Sequence, residues 1–273
     1  MSPQLDAMPT SAKDNKKQRR KEVTAELARH EAALKQLVRA AEADADPLRS
    51  FAPFVAYSRN GLDACIRAFT GEGLPAPLAA WALALCRGNM QEMYEAVWGW
   101  SDKKKQRQLE DESSRFLVAF EAAAAAPAPA EAAEGAGEAQ AAGGAEGQPL
   151  AYLNYRFEVE DGVPVAYCYE VQLEERAQRK GLGKHLMRLL ELMALRNGMA
   201  GVLLTVMRAN TDAIAFYARL GYSEHESSPG YADPDEEPAG YVILCKPLSR
   251  PARGHSHAHG HGHAHGHAGC CGC

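Results

Sequence analysis

Gln178-Arg179-Lys180-Gly181-Leu182-Gly183 is the stretch on which the fold turns. Ahead of it, Val163 to Leu173 reads as a strand, rich in β-branched and aromatic side chains. Behind it, Gly183 to Arg196 places Leu186, Leu189, Leu190 and Met193 at helical spacing. Glycines at such a turn let backbone N–H groups approach an anion closely, and the following helix adds the positive end of its dipole. Arg179, Lys180 and Lys184 bring charge suited to phosphates. By itself the run also fits a plain packing turn before a helix, so the flanking segments decide.

Downstream, Val202 to Met207 is a short apolar strand, and Asn210 to Leu220 is a helix with Asn210 as N-cap and Gly221 at its C-terminal end. Tyr241 to Cys245 is a last strand after an acidic, Pro-rich loop. Upstream, Arg115 to Phe120 and Tyr152 to Glu160 read as strands, the second joined to Val163–Leu173 by the turn signal Asp161-Gly162. Pro77 to Cys86 and Met90 to Trp98 read as two helices separated by Arg87-Gly88-Asn89. The expected architecture is α/β: a mixed central sheet, a strand meander followed by β-α-β-α-β, and helices on both faces.

Three segments lie outside that frame. Lys13 to Lys21 is a basic run, and Glu22 to Ala43 suggests a solvated helix with a modest apolar stripe. A histone, nucleic-acid or nuclear-import contact and a plain solvated arm both fit it. Glu121 to Gln148 collapses into Ala, Gly, Glu and Pro, with nothing to build a core, and reads as a disordered loop inserted in a hairpin. The tail Gly254 to Cys273 alternates seven histidines with Gly, Ala and Ser before Cys270-Cys271-Gly272-Cys273, a spacing that matches no closed tetrahedral site, so no metal is expected. The organisation is thus a basic arm and helix over 1–50, a folded α/β domain over 51–248 with the insertion 121–148, and a tail over 249–273.

Composition narrows the function classes. The chain has 273 residues and a net charge of −5, which argues against bulk or direct nucleic-acid binding. No apolar run approaches the ~20 residues a membrane helix needs, and Met1 to Thr10 has no secretory h-region. Seven cysteines in no disulfide-like framework fit a reducing compartment. A soluble intracellular protein without membrane contact is expected.

The strand before the loop, the amphipathic helix after it, and then Asn210-x-x-Ala213-x-x-Phe216-Tyr217-x-x-x-Gly221-Tyr222 together resemble the Gcn5-related N-acetyltransferase (GNAT) superfamily over roughly Cys65 to Pro247. The resemblance implies acetyl-CoA as co-substrate, lying in a split between Val165–Leu173 and Gly201–Met207. Its pyrophosphate would rest on Arg179, Lys180, Gly181, Leu182, Gly183 and Lys184. Backbone groups of Val171, Gln172 and Leu173 would hold the pantetheine arm, with Asn210 as a further contact. An amine acceptor is mostly protonated at pH 7, so a base helps, and Glu170 is the candidate. Strand alternation puts Tyr167 and Tyr169 on one face and Cys168 and Glu170 on the other, an assignment that a bulge would alter. The resemblance gives Tyr217 the place of a residue that meets the departing thiolate; a helix aromatic packed in the core is the other reading.

Longer segments are similar to one branch, the histone N-terminal acetyltransferases: Asn89-Met90-Gln91-Glu92-Met93-Tyr94, Trp98-Gly99-Trp100, Tyr167-Cys168-Tyr169-Glu170-Val171-Gln172-Leu173-Glu174 and Arg179 to Lys184. That similarity implies an acceptor α-amine on the Ser-Gly-Arg-Gly terminus of histone H4 and histone 2A, in nucleus and cytoplasm, with the ribosome as a further candidate partner. It also implies a peptide groove of Tyr94, Trp98, Glu158, Val159, Glu160, Tyr169, Thr205, Ser227 and Tyr241, with Tyr169 beside the chemistry. Glu158 and Glu160 share a strand face and could hold the arginine at the third position; a plain exposed strand face is the alternative. Glu158 stands where aspartate is expected, Gln178 replaces a basic residue, and the branch lacks the insertion. A lysine or small-amine acetyltransferase and a non-catalytic histone-tail-binding module are the competing readings.

Overall fold

The computed structural model describes residues 12–122, 147–231 and 239–249. The insertion, the acidic loop before Tyr241 and the His/Cys-rich tail fall almost wholly outside these residues. Five strands form an antiparallel meander: β1 (Ala56–Arg59), β2 (Leu62–Thr70), β3 (Arg115–Glu121), β4 (Pro149–Glu160) and β5 (Val163–Leu173). The Gly-rich turn and α4 (Leu182–Arg196) then cross over to β6 (Gly201–Met207), which runs parallel to β5. After α5 (Thr211–Leu220), β7 (Ser223–Glu224) and β8 (Tyr241–Pro247) complete a single eight-stranded sheet in the order β1-β2-β3-β4-β5-β6-β8-β7.

Side-chain alternation on the central strands feeds two cores. One face carries Leu117, Leu153, Ala166 and Leu204 against Leu186, Met187 and Leu190 of α4, with Leu37, Val38 and Ala41 from the last turns of α1 (Ala12–Glu42). The other face carries Phe116, Val118 and Tyr152 against Leu78 and Ala82 of α2 (Ala76–Glu95) and Leu109 of α3 (Asp102–Leu109). This is the mixed α/β architecture expected from the sequence, with helices on both faces.

Four local features differ from expectation. The β1–β2 hairpin was not anticipated, although Asn60-Gly61, both at positive φ (54° and 67°), is the turn such hairpins favour. The helices expected on either side of Arg87-Gly88-Asn89 are one continuous α2, because a single glycine costs a helix only about 1 kcal/mol and packing on Phe116 and Tyr152 outweighs it. Helix α3 lacks the apolar stripe that would announce it; Ser101 caps it by accepting from the Lys104 N–H, and Leu109 anchors it. The two-residue β7 is too short to show in a pattern. The Asp161-Gly162 turn (φ 47° and 79°) and the limits of β5 match the sequence reading.

Candidate active site

β5 and β6 pair only over Val165–Cys168 and Gly201–Leu204. Beyond that, β5 stays with β4 out to Leu173 while β6 stays with β8 out to Met207. The two strands therefore part, and the backbone groups they turn toward each other past Cys168 and Leu204 have no strand partner. Unpaired backbone of this kind seeks a ligand or water. A cavity of about 500 Å³ opens at this fork. Tyr167 closes its narrow end by bridging the strands, hydroxyl to hydroxyl, with Thr205 at 2.5 Å.

The register of β4 against β5 decides which side chains enter the cavity. Asn154 faces Glu170 and Tyr155 faces Cys168, so Tyr169 is the extra residue of a β-bulge. Alternation is broken there. Cys168 points to the α4 face, where its thiol meets Met187, whereas Tyr169 and Glu170 both point to the α2/α3 face. The bulge thus corrects the alternation expected from sequence and sets Glu170 beside the tyrosines. The Glu170 side chain is 2% exposed. Its carboxylate accepts from the Tyr152 hydroxyl and the Lys105 ammonium, with the Cys86 thiol 3.5 Å away.

Burial works against the charge of Lys105, but Glu170, Tyr94 and Cys86 more than offset it and raise the lysine's pKa. Burial, then the Glu170 charge, push the Tyr152 hydroxyl and the Cys86 thiol up, so both stay neutral proton donors. Lys105, Tyr152 and Cys86 were not selected from the sequence. Lys105 belongs to the run Lys103-Lys104-Lys105 on a polar helix, and nothing in that run marks one lysine as buried.

An aromatic wall and an acidic wall complete the cavity. Tyr94 stacks between Trp98 and Trp100 (5.6 and 5.8 Å between ring centres), and Trp98 meets Tyr241 at 5.1 Å. Burial, then the Glu170 charge, raise the Tyr94 pKa to about 12. Opposite, the Tyr169 hydroxyl donates to Glu158 at 2.7 Å, and the Arg156 guanidinium lies over the Tyr169 ring. Burial, then the neighbouring Glu158 and Asp161, raise the Glu160 pKa. Glu158, Glu160, Thr205 and Ser227 all line the cavity. Val159, which the resemblance placed in the groove, does not line it, because it alternates between two residues that face inward.

Of the residues expected to hold a cofactor, Val171, Gln172 and Asn210 line the cavity; Leu173 and the loop from Arg179 to Lys184 lie outside it. The Leu173 carbonyl is engaged by the Gln178 amide at 3.1 Å. The Lys180 carbonyl is tied back by the Tyr57 hydroxyl (2.5 Å) and the Asn60 amide (2.8 Å), with Gly181 (φ 91°) as the N-cap of α4. Carbonyls are thus turned away while the first N–H groups of a 15-residue helix stay available, and Arg179 and Lys184 stand exposed beside them. This donor set suits a pyrophosphate. A Cβ on Gly181 would sit 2.7 Å from the Tyr57 hydroxyl. Gly181→Ala should therefore release the Lys180 carbonyl and raise the KM for acetyl-CoA about ten-fold with little change in the acceptor KM, as two-substrate initial rates would show.

Asn210 caps α5 by accepting from the Ala213 N–H at 3.1 Å, and among the described residues its amide Nδ2 has no partner. The Tyr217 ring is packed against Phe216 and Tyr222, with the residue 9% exposed and at the cavity wall. Burial holds its hydroxyl well above the usual range, so it is a proton donor, and among the described residues it is unpartnered. Both sequence readings of Tyr217, core aromatic and cavity group, describe the same side chain.

A model of the acetyltransferase (GNAT) family matches residues 90–222. Among solved structures, Ard1 from Thermoplasma volcanium is similar at 16% identity, covering 68% of this chain and 99% of that one (TM-score 0.43). PaiA N-acetyltransferase from Thermoplasma acidophilum, solved with coenzyme A, is similar at 14% identity, with 68% and 99% covered (TM-score 0.44). The GNAT domain of S. lividans PAT is similar at 17% identity, with 71% and 94% covered (TM-score 0.46).

Proposed function

We propose that this chain, a member of the GNAT superfamily of acetyltransferases, acetylates protein N-termini in the manner of N-alpha-acetyltransferase 40 (NatD), whose motifs its sequence resembles. The acceptor is the free α-amine of Ser-Gly-Arg-Gly on histone H4 and histone 2A, met in cytoplasm or nucleus. The observation that carries this reading is that one cavity at the β5/β6 fork joins Glu170, the aromatics Tyr94, Trp98 and Tyr241, and the acidic pair Glu158 and Glu160. An aromatic-walled mouth suits small first residues, and two carboxylates suit a guanidinium a short way along the peptide.

Acetyl-CoA, when bound, supplies the activated acetyl group. Arg179, Lys184 and the N–H groups at the start of α4 would hold its pyrophosphate, and the unpaired β5 backbone from Val171 would orient its arm. Glu170 takes a proton from the acceptor ammonium, directly or through water, and Tyr217 stands as the proton donor for the thiolate. The test is incubation with acetyl-CoA and Ser-Gly-Arg-Gly peptides, read by mass spectrometry that locates the acetyl group. Modification of the α-amine is the expected product. Modification of an internal lysine in an N-terminally blocked peptide, with the α-amine untouched, would sink the reading, and binding of the peptide without turnover would favour a non-catalytic module.

A further inference from the structure

Glu170 has a fixed cation against it. Lys105 reaches from α3 with only 10% of its side chain exposed; its Nζ donates to Glu170 Oε1 and to Gln108 Oε1 (2.8 Å) and lies 4.8 Å from the centre of the Tyr94 ring. The groups facing this pair from the packed elements are Cys86 and Tyr94 from α2, Tyr152 from β4 and Gln108 from α3 itself. Among the described residues of this cluster, Lys105 is the only cation. The lysine is locked from two sides, since Tyr94 holds it by its ring and Glu170 by its carboxylate, and both of those residues also line the cavity.

Burial disfavours the charged form of a carboxyl group unless an opposite charge lies against it, and a neutral carboxyl group cannot act as a base. We propose that Lys105 is a positioning residue for acetyl transfer: its ammonium keeps Glu170 ionised and aimed along the cavity wall, ready to receive the acceptor's proton. The proposal rests on the reading of Glu170 as the base. One proton passes from the acceptor ammonium to the Glu170 carboxylate, leaving a neutral carboxyl group beside the Lys105 ammonium, and returns to solvent when the product leaves. Lys105 itself neither gains nor loses a proton, so it acts through Glu170 and not on the acceptor.

The test is the pH profile of kcat/KM for full-length Lys105→Met and Lys105→Arg enzymes, with Glu170→Gln as control. Lys105→Met should move the acid limb upward by about 1–2 pH units, with activity recovering toward wild type above the new limb. Lys105→Arg, which keeps the charge, should leave the limb within about half a unit of wild type. A Lys105→Met enzyme reduced by one factor at every pH, its limb unmoved while Glu170→Gln is inactive, overturns the proposal and leaves the base reading standing. A fully active Glu170→Gln enzyme overturns the base reading, and this proposal with it. Should Lys105→Met fail to fold, Lys105→Gln is profiled in its place: an acid limb moved upward is the expected result, and an unmoved limb overturns the proposal.

Discussion

Glu170→Gln leaves acetyl-CoA binding close to wild type and lowers kcat by about 10²–10⁴-fold, the contribution typical of a positioned general base. The substitution is nearly isosteric. A glutamine oxygen can still accept from the Tyr152 hydroxyl, and the bulge at Tyr169 that turns residue 170 into the cavity is a property of the β4–β5 register, not of this side chain. What is lost is the charge, and with it the proton acceptor at the fork. The cofactor end is left in place, because Asn210 and the turn into α4 belong to other elements and Val171 offers backbone groups that a side-chain change at 170 does not remove. Initial rates with both substrates varied give the split, a fallen kcat with an unchanged acetyl-CoA KM. A comparable rise in acetyl-CoA KM would instead mean that Glu170 supports the cofactor site. The replacement also leaves the Lys105 ammonium buried without an opposite charge, with only Gln108 and the Tyr94 ring against it, so a lowered melting temperature is expected and rates belong well below it.

How far the sequence could be read follows the range of the interactions involved. The turn Gln178 to Gly183 and the Asp161-Gly162 hairpin are local devices, in which a few residues carry both the signal and the structure, and they located β5 and α4. Asn60-Gly61 is equally local, but β1 on its one side is only four residues long and mostly exposed, so no strand pattern accompanies the turn there. The bulge at Tyr169 is different in kind. Nothing in Tyr167-Cys168-Tyr169-Glu170 announces it, since it exists only relative to Asn154 and Tyr155 across the ladder. Lys105 is the same case: its role comes from α3 packing over β5, and in the chain it is one lysine of three. The acidic pair on β4 was legible as a shared strand face. That this face closes one cavity with an aromatic wall from α2 and β8 required the fold.

That acidic pair yields a second large effect, with opposite signs for binding and stability. The double substitution Glu158→Gln, Glu160→Gln should cut kcat/KM for a Ser-Gly-Arg-Gly peptide by about 10–100-fold, because hydrogen bonds to a charged group contribute about 1.5–3 kcal/mol. The same enzyme should handle Ser-Gly-Ala-Gly about as the wild type does, so the loss appears only where a guanidinium is present; an equal loss on both peptides would remove the arginine assignment. Stability moves the other way. Burial, then Glu158 and Asp161, raise the Glu160 pKa, so the folded state holds its proton more tightly than the unfolded chain. The stability linked to that proton is complete below the unfolded pKa and is lost as pH rises through the folded one. At neutral pH the ionised Glu160 is therefore a cost, and Glu160→Gln alone should raise the melting temperature by about 1–2 °C, a gain that vanishes in acid, where the wild-type side chain is neutral as well. Thermal melts at pH 7 and pH 4 check both halves. A carboxylate held against like charges in the free protein makes sense where the missing partner is a cation that arrives with the substrate.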